Sequence, residues 1–156
     1  MNHASMKKIM HWILTGWIIA LGTGCSGFHR AWRQEVTTNP GYPPSMIEGA
    51  WEGEWISDSN GHHGRLRCLL TENEDGTYTT WYHAKYLKFL GFAYAVEVNS
   101  NPSDKGYSLS GQADLGKLAG GMYHYEGTIS DGHFKATYES KYDDGTFRMT
   151  RPLTDP

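Results

Sequence analysis

Eight short runs of alternating apolar and polar residues, separated by turn-forming residues, constrain the fold of this chain more than any other feature. The predicted strands are 50–56, 65–71, 77–86, 89–98, 106–113, 121–130, 133–140 and 146–151. Several breaks contain Asp-Gly, as at Asp131-Gly132, and this pair between alternating runs is a strong signal for a β-hairpin. From residue 49 onward no segment has the pattern of an amphipathic helix. The sequence therefore predicts successive antiparallel hairpins.

Successive side chains of a strand point to opposite faces of the sheet, so each run divides its residues between two surfaces. One predicted face is apolar and aromatic: Trp51, Leu66, Cys68, Leu70, Tyr78, Tyr82, Tyr86, Phe92, Tyr94, Val96, Tyr107, Leu109, Tyr123, Tyr125, Ile129, Phe134, Tyr138, Phe147 and Met149. The other is polar: Glu52, Glu54, Arg65, Arg67, Thr79, His83, Lys85, His124, Glu126, Lys135, Glu139 and Arg148. A closed barrel and a two-sheet sandwich both satisfy this division. Short hairpins favour the barrel, because closure removes exposed strand edges. The predicted fold class is all-β: an eight-stranded antiparallel up-and-down β-barrel.

The barrel domain is predicted at 47–156, after an N-terminal signal segment at 1–24 and a flexible linker at 25–46. Lys7 and Lys8 form a positive start, and the apolar run that follows is too short and too interrupted to span a bilayer comfortably. Met6 as well as Met1 is a candidate initiator. The segment has the layout of an export signal.

The end of this segment, Leu21-Gly22-Thr23-Gly24-Cys25, resembles the signal of bacterial lipoproteins, in which small residues precede a lipidated cysteine. Leu21 stands one position further from the cysteine than is most common. The resemblance implies acyl chains on Cys25 and the lipid bilayer as a partner, since two chains suffice for stable anchoring. It also implies the bacterial cell envelope, and Ser26 favours the outer over the inner membrane. An ordinary secretory signal cleaved near Gly24 and an uncleaved anchor remain alternatives.

The linker lacks a sustained apolar period, although 28–36 has room for two turns of helix. Residues 37–45 contain three prolines and a glycine, which break a helix. An extended chain of this kind rises about 3.1 Å per residue and would hold the barrel up to ~60 Å from the lipid. Trp32 could dock on the barrel, on the membrane interface or remain solvated.

Gly49 and Trp51 open the first predicted strand, and Arg148 and Arg151 lie on the last. Gly-x-Trp on the first strand with an Arg on the last resembles the calycin superfamily of lipocalins, avidins and fatty-acid-binding proteins. The resemblance implies a barrel plug in which the Arg packs over the Trp and bonds to backbone at the closed end. Arg151 is preferred, because it falls on the same side of the strand as the inward Phe147.

The predicted interior is rich in tyrosine, whose hydroxyl normally finds a partner when buried. The candidate ligand-binding residues, which would line a semi-polar cavity for a small aromatic, lipid or sugar-like molecule, are Tyr82, Phe92, Tyr94, Tyr123, Tyr125 and Tyr138. An eight-stranded barrel is only just wide enough for one small ligand. A core filled by the tyrosines themselves is the alternative.

The remaining polar residues do not form a pattern that indicates a metal site or a catalytic site. His62 and His63 adjoin in a turn, but two ligands make a weak metal site, so we expect a solvated loop. His83, His124 and Glu126 fall on the outward face and are predicted to be surface residues. No metal or cofactor is expected. No nucleophile–base–orienter set is apparent, so the chain is not expected to be an enzyme.

The net charge of −3 and the absence of a basic patch argue against nucleic acid as a partner. Cys68 is predicted to be a buried, inert thiol, and 116–121 is predicted to be a flexible loop at the barrel mouth.

The sequence is compatible with two functions. The first is an envelope lipoprotein whose barrel binds a small, partly apolar ligand. The alternative is a structural or interaction lipoprotein with a filled core, which contacts another envelope component through loops 57–64 and 114–121.

Overall fold

The computed structural model describes residues 26–39, 45–86, 90–117 and 120–153. Within them, a helix (α1, 26–38) precedes eight strands. The strands are β1 (Gly49–Ser57), β2 (His63–Glu72), β3 (Tyr78–Tyr86), β4 (Leu90–Ser103), β5 (Gly106–Asp114), β6 (Met122–Ser130), β7 (His133–Glu139) and β8 (Asp144–Thr150). Each strand pairs with the next in antiparallel fashion, and β8 pairs with β1 to close the barrel. The predicted fold class is confirmed.

Strand β4 is longer than predicted. The sequence indicated a break over 99–104, yet β4 continues to Ser103 and pairs with β5 as far as Ser103 opposite Gly106. Pro102 lies within this extension, opposite Tyr107. The prediction was wrong here because proline and asparagine signal a turn locally, whereas the neighbouring β5 continues the pairing.

The barrel interior holds the predicted apolar face. Trp51, Leu66 and Ile129 are fully buried there. Cys68 is also fully buried, and desolvation raises the pKa of its thiol well above the usual value. Phe92 is the exception, because it lies near the start of β4, at the rim of the barrel, and is 47% exposed. The register therefore separates the two faces as the alternation of the sequence predicts.

One end of the barrel is closed by Trp51 and Arg151. The Arg151 guanidinium carbon lies 3.7 Å from the centroid of the Trp51 ring. Arg151 donates hydrogen bonds to the carbonyl oxygens of Glu48 at 2.7 Å and Met46 at 2.9 Å. Trp51 Nε1 donates to the Ile47 carbonyl at 2.9 Å. This is the arrangement that the calycin resemblance implies.

Gly49 is the first residue of β1, and its backbone angle φ is +95°. Side chains other than glycine rarely adopt this backbone conformation. Burial lowers the pKa of Arg151 to about 10, so the guanidinium is still a cation at neutral pH. The closed end therefore combines a special backbone angle with a half-buried cation that donates hydrogen bonds to four carbonyl oxygens.

Helix α1 packs against the outside of the barrel. It contains the two turns of helix for which 28–36 had room and extends them to 26–38, so this part of the predicted linker is a docked helix. Its apolar residues share one face and pack on the outer surface of β1 to β4: Phe28, Ala31, Trp32 and Val36 on the helix, and Ala50, Leu69, Trp81 and Ala93 on the strands. Their spacing is that of an amphipathic helix. A helix of this length is marginal alone, so the contact with the barrel is what stabilises it.

The docked helix also buries His83, which was predicted to be a surface residue. Phe28 stacks on its ring at 5.2 Å between centroids, and His29 meets it edge-on at 4.6 Å. His83 is consequently only 4% exposed. Burial lowers its pKa to about 4, and the charges of His29, Lys85 and Arg67 act in the same direction. The prediction was wrong because the outward face of β3 is covered.

The predicted signal segment 1–24, the predicted lipid site Cys25 and residues 40–44 of the predicted linker lie outside the described residues. Among the residues that the structure describes, no helix is both long enough and apolar enough to cross a membrane.

Candidate functional site

A cavity of about 430 Å³ lies at the end of the barrel opposite the plug. At this end strands β1, β3, β5 and β7 finish and strands β2, β4, β6 and β8 begin. The residues that line it are Trp55, Asn60, His62, Ala84, Tyr86, Phe92, Tyr94, Leu115, Tyr123, Tyr125, Tyr138, Asp143 and Phe147. Its volume is within the range of small-molecule sites, and its lining is mostly aromatic with a few polar groups, as is usual for such sites.

Five of the six predicted ligand-binding residues line this cavity: Phe92, Tyr94, Tyr123, Tyr125 and Tyr138. Strands β4, β6 and β7 bring them together because all five fall on the inward face near the open end. Phe92 stacks on Tyr94, and Tyr123 on Tyr125, at centroid distances of 5.8 and 6.2 Å. These two stacked pairs, together with Tyr138, whose ring centroid lies 6.1 Å from that of Tyr123, form the aromatic wall of the cavity.

Tyr82, the sixth predicted residue, does not line the cavity. It is 2% exposed and lies beneath the wall, where its ring stacks on Tyr94 at 5.2 Å and on Tyr125 at 6.4 Å. Sequence alternation places it on the correct face but does not give its depth along the barrel axis. Its role is to support the rings that do reach the cavity.

The hydroxyls of Tyr94, Tyr125 and Tyr138 stay protonated at neutral pH. Burial raises the pKa of Tyr94 well above its usual value, and it raises the pKa of Tyr125 and Tyr138 as well. The Tyr94 and Tyr125 hydroxyls influence each other's pKa. The phenols therefore provide neutral donors and acceptors, together with large ring faces.

Three residues at the mouth, Trp55, Tyr86 and His62, were not among the predicted site residues. Trp55 Nε1 donates to the Lys85 carbonyl at 2.9 Å, and its ring stacks on Tyr86 at 6.1 Å. The Tyr86 hydroxyl lies 3.1 Å from His62 Nδ1. Trp55 has the same strand parity as Trp51, which is the signal that could have identified it.

Gly64 allows this close approach at the mouth. A Cβ there would overlap the carbonyl oxygen of Lys85 and lie 2.8 Å from Trp55 Nε1. The hydrogen bond between Trp55 and the β3 backbone therefore requires glycine at this point of β2. His62 is itself exposed, as predicted for a loop residue, but its ring is held against Tyr86.

Asp143 contributes a carboxylate to the cavity wall, although it falls in the break between the predicted strands 133–140 and 146–151. Ser57 Oγ donates to Asp143 Oδ1 at 2.5 Å, and the Tyr138 hydroxyl donates to Oδ2 at 3.4 Å. The Asp143 N–H donates to Ser140 Oγ at 3.1 Å. The carboxylate is therefore fixed in position by strands β1 and β7 and by its own turn.

In the described part of the chain, no group of three or more His, Cys, Asp or Glu side chains is arranged to hold a metal ion. Among the described residues, the cavity offers aromatic contact area, hydroxyl groups, the Asn60 amide, the His62 imidazole and one carboxylate. These groups can bind and orient a small molecule.

Comparisons with known proteins give no relative for this chain. No protein-family model matches it, and neither a curated protein nor a solved structure does so. Its eight-stranded antiparallel barrel is consistent with a calycin-like fold. That similarity rests on the strand order and on the geometry of Gly49, Trp51 and Arg151.

Proposed function

We propose that this chain is a lipid-anchored protein of the bacterial cell envelope whose barrel binds a small, partly apolar ligand. The observation that carries the proposal is the open, aromatic cavity of about 430 Å³ at one end of a barrel whose other end is plugged. A core filled by tyrosines would leave no such space. Binding, not catalysis, is the proposed activity.

Support for the envelope location comes from the sequence alone. The positive start, the apolar run and the small residues before Cys25 form a lipoprotein-like signal. Anchoring through Cys25, with the outer membrane favoured over the inner, is part of the proposal. Incorporation of labelled palmitate into the full chain in a bacterial host, with loss of the label in Cys25→Ala, is the expected result. Equal labelling of the variant would contradict it.

Ligand binding is tested with the full chain in phosphatidylcholine nanodiscs and the neutral fluorescent probe N-phenyl-1-naphthylamine. Empty nanodiscs supply the blank for probe that enters lipid. Saturable binding above this blank is expected.

The matched variants are Ala84→Leu and Ala95→Leu. Ala84 is buried and lines the cavity, whereas Ala95 is exposed on the outside of β4. The larger side chain at Ala84 should weaken probe binding, and the same change at Ala95 should leave it unchanged. Equal binding by both variants would place the probe elsewhere on the protein.

A further inference from the structure

The cavity has an uneven distribution of charge. Among the described residues that line it, Asp143 is the one acidic side chain, and none is Lys or Arg. A carboxylate offers about four lone-pair positions, and Ser57 and Tyr138 occupy two of them. Asp143 therefore keeps acceptor capacity for a further donor.

The aromatic rings around this carboxylate add to the negative character of the site. Eight lining residues are aromatic: Trp55, Tyr86, Phe92, Tyr94, Tyr123, Tyr125, Tyr138 and Phe147. The face of an aromatic ring carries partial negative charge and attracts cations. Ring faces and carboxylate thus favour the same kind of ligand.

An anionic ligand fits this cavity poorly. Its charge would meet Asp143 and the ring faces without a Lys or Arg among the described lining residues to compensate. Like charges at close range in a partly desolvated site repel strongly. A neutral apolar ligand would fill the space but leave the free acceptor positions of Asp143 without a partner.

We propose that the cavity binds a small organic cation, an amine or quaternary ammonium with an apolar or aromatic body. The inference rests on the proposed function, namely that the cavity binds a ligand at all. The ammonium group would lie near Asp143, and the apolar body would pack on the rings of Tyr94, Tyr123 and Phe147.

The test compares three probes of similar shape: 2-phenylethylammonium, 2-phenylethanol and 3-phenylpropanoate. Their binding to the full chain in phosphatidylcholine nanodiscs is measured by calorimetry at pH 7, with empty nanodiscs as the blank. The ammonium is expected to bind roughly tenfold more tightly than the alcohol, because hydrogen bonds to charged groups are stronger than neutral ones. The carboxylate is expected to bind most weakly.

Two neighbouring carboxylates provide matched variants. Asp143→Asn should abolish the preference for the ammonium over the alcohol while binding of the alcohol persists. Asp144→Asn is the control, because Asp144 is exposed and accepts a hydrogen bond from Ser59 outside the cavity lining. Loss of the preference in both variants would overturn the role of Asp143.

The loss of one ring provides a second readout should Asp143→Asn fail to fold. Tyr123 is half-buried in the cavity wall. Tyr123→Leu keeps an apolar side chain but removes a ring face, so it should weaken the ammonium more than the alcohol. Equal weakening of both would argue against recognition of the cation by the rings.

The outcomes for the unmodified chain separate the two proposals. If the alcohol or the carboxylate binds as tightly as the ammonium, the cation inference is wrong and the ligand-binding function stands. If no probe binds, and N-phenyl-1-naphthylamine does not bind either, both proposals fail together.

Discussion

Acidification should release helix α1 from the barrel. His83 is 4% exposed beneath Phe28 and His29, and its pKa is lowered to about 4 from the usual 6.5. The groups that face it are Phe28 and His29 from the helix, and Lys85 and Arg67 from the barrel. All the charged neighbours are cationic or become cationic, so none compensates a proton on His83.

The sign and size of the effect follow from linkage. Well above pH 6.5 His83 is neutral whether the helix is docked or not, and it contributes nothing to the pH dependence. Between 6.5 and 4 only the uncovered ring takes up a proton, which favours undocking. One unit of pKa shift corresponds to 1.36 kcal/mol, so docking is weakened by about 2.5 kcal/mol at pH 4.5. The pKa of His29 is also lowered in the docked state and acts in the same direction.

Hydrogen exchange measured by mass spectrometry at pH 7 and pH 4.5 tests this. After correction for intrinsic exchange rates, residues 26–38 should lose protection at pH 4.5 while the strands distant from the helix keep theirs. His83→Phe keeps a ring over Phe28 without a titratable group, and its helix should stay protected. His124→Phe, at an exposed position, should behave like the unmodified chain. Unchanged helix protection across this pH range, or an equal loss in His83→Phe, would refute the reasoning.

Three further predictions concern the barrel. Trp51→Ala should lower the free energy of unfolding in urea by roughly 3–5 kcal/mol, because it empties the plugged end; a loss below about 1 kcal/mol would contradict the plug. Gly53→Ala should prevent closure between β1 and β8, because a Cβ there would overlap the carbonyl oxygen of Arg148. Gly27→Ala, where the nearest atom is at 3.5 Å, is its control by circular dichroism, and two equally folded variants would contradict the clash. Cys68 should resist iodoacetamide at pH 8 until urea unfolds the barrel, because its thiol is buried and the pKa of that thiol is raised. Rapid labelling of Cys68 itself in the native chain would contradict this.

The strands and their closure could be predicted because the signals are local. Alternation with a period of two, broken by pairs such as Asp131-Gly132, determines which side chains face inward. Eight consecutive hairpins then leave closure as the simplest way to remove the edges. The extension of β4 through Pro102 could not be predicted in this way, since it depends on pairing with a partner strand.

Docking of the helix depends on two apolar surfaces, one on the helix and one on the outside of the barrel, whose residues are far apart in the sequence. Phe28 and Trp32 have helical spacing, but a short apolar stripe predicts a stable helix only where a complementary surface exists. That surface was signalled by Leu69 and Trp81, which are apolar at outward positions of β2 and β3. Burial of His83 follows from the same contact and could not be inferred from the strand alone.

The residues of the candidate site that lie on strands could be predicted from the sequence, whereas those that lie in the connections between strands could not. Tyr94 and Tyr125 follow from parity, whereas Tyr82 shows that parity does not give depth. His62 and Asp143 lie in turns, where side-chain direction has no period. Their contacts with Tyr86 and Ser57 arise only when hairpins from opposite parts of the sequence meet at the open end.

The direction of helix α1 sets how the cavity would face a membrane. The start of the helix lies near His83, toward the open end of β3, and its last turns lie near Gly49 at the closed end. Under the proposed anchoring at Cys25, the attachment point immediately precedes the part of the helix beside the mouth. A docked helix would then turn the mouth toward the bilayer and hold it close, instead of letting the barrel move freely on a long arm. If acid releases the helix, the mouth would no longer be held in this orientation, and the barrel could move away from the bilayer.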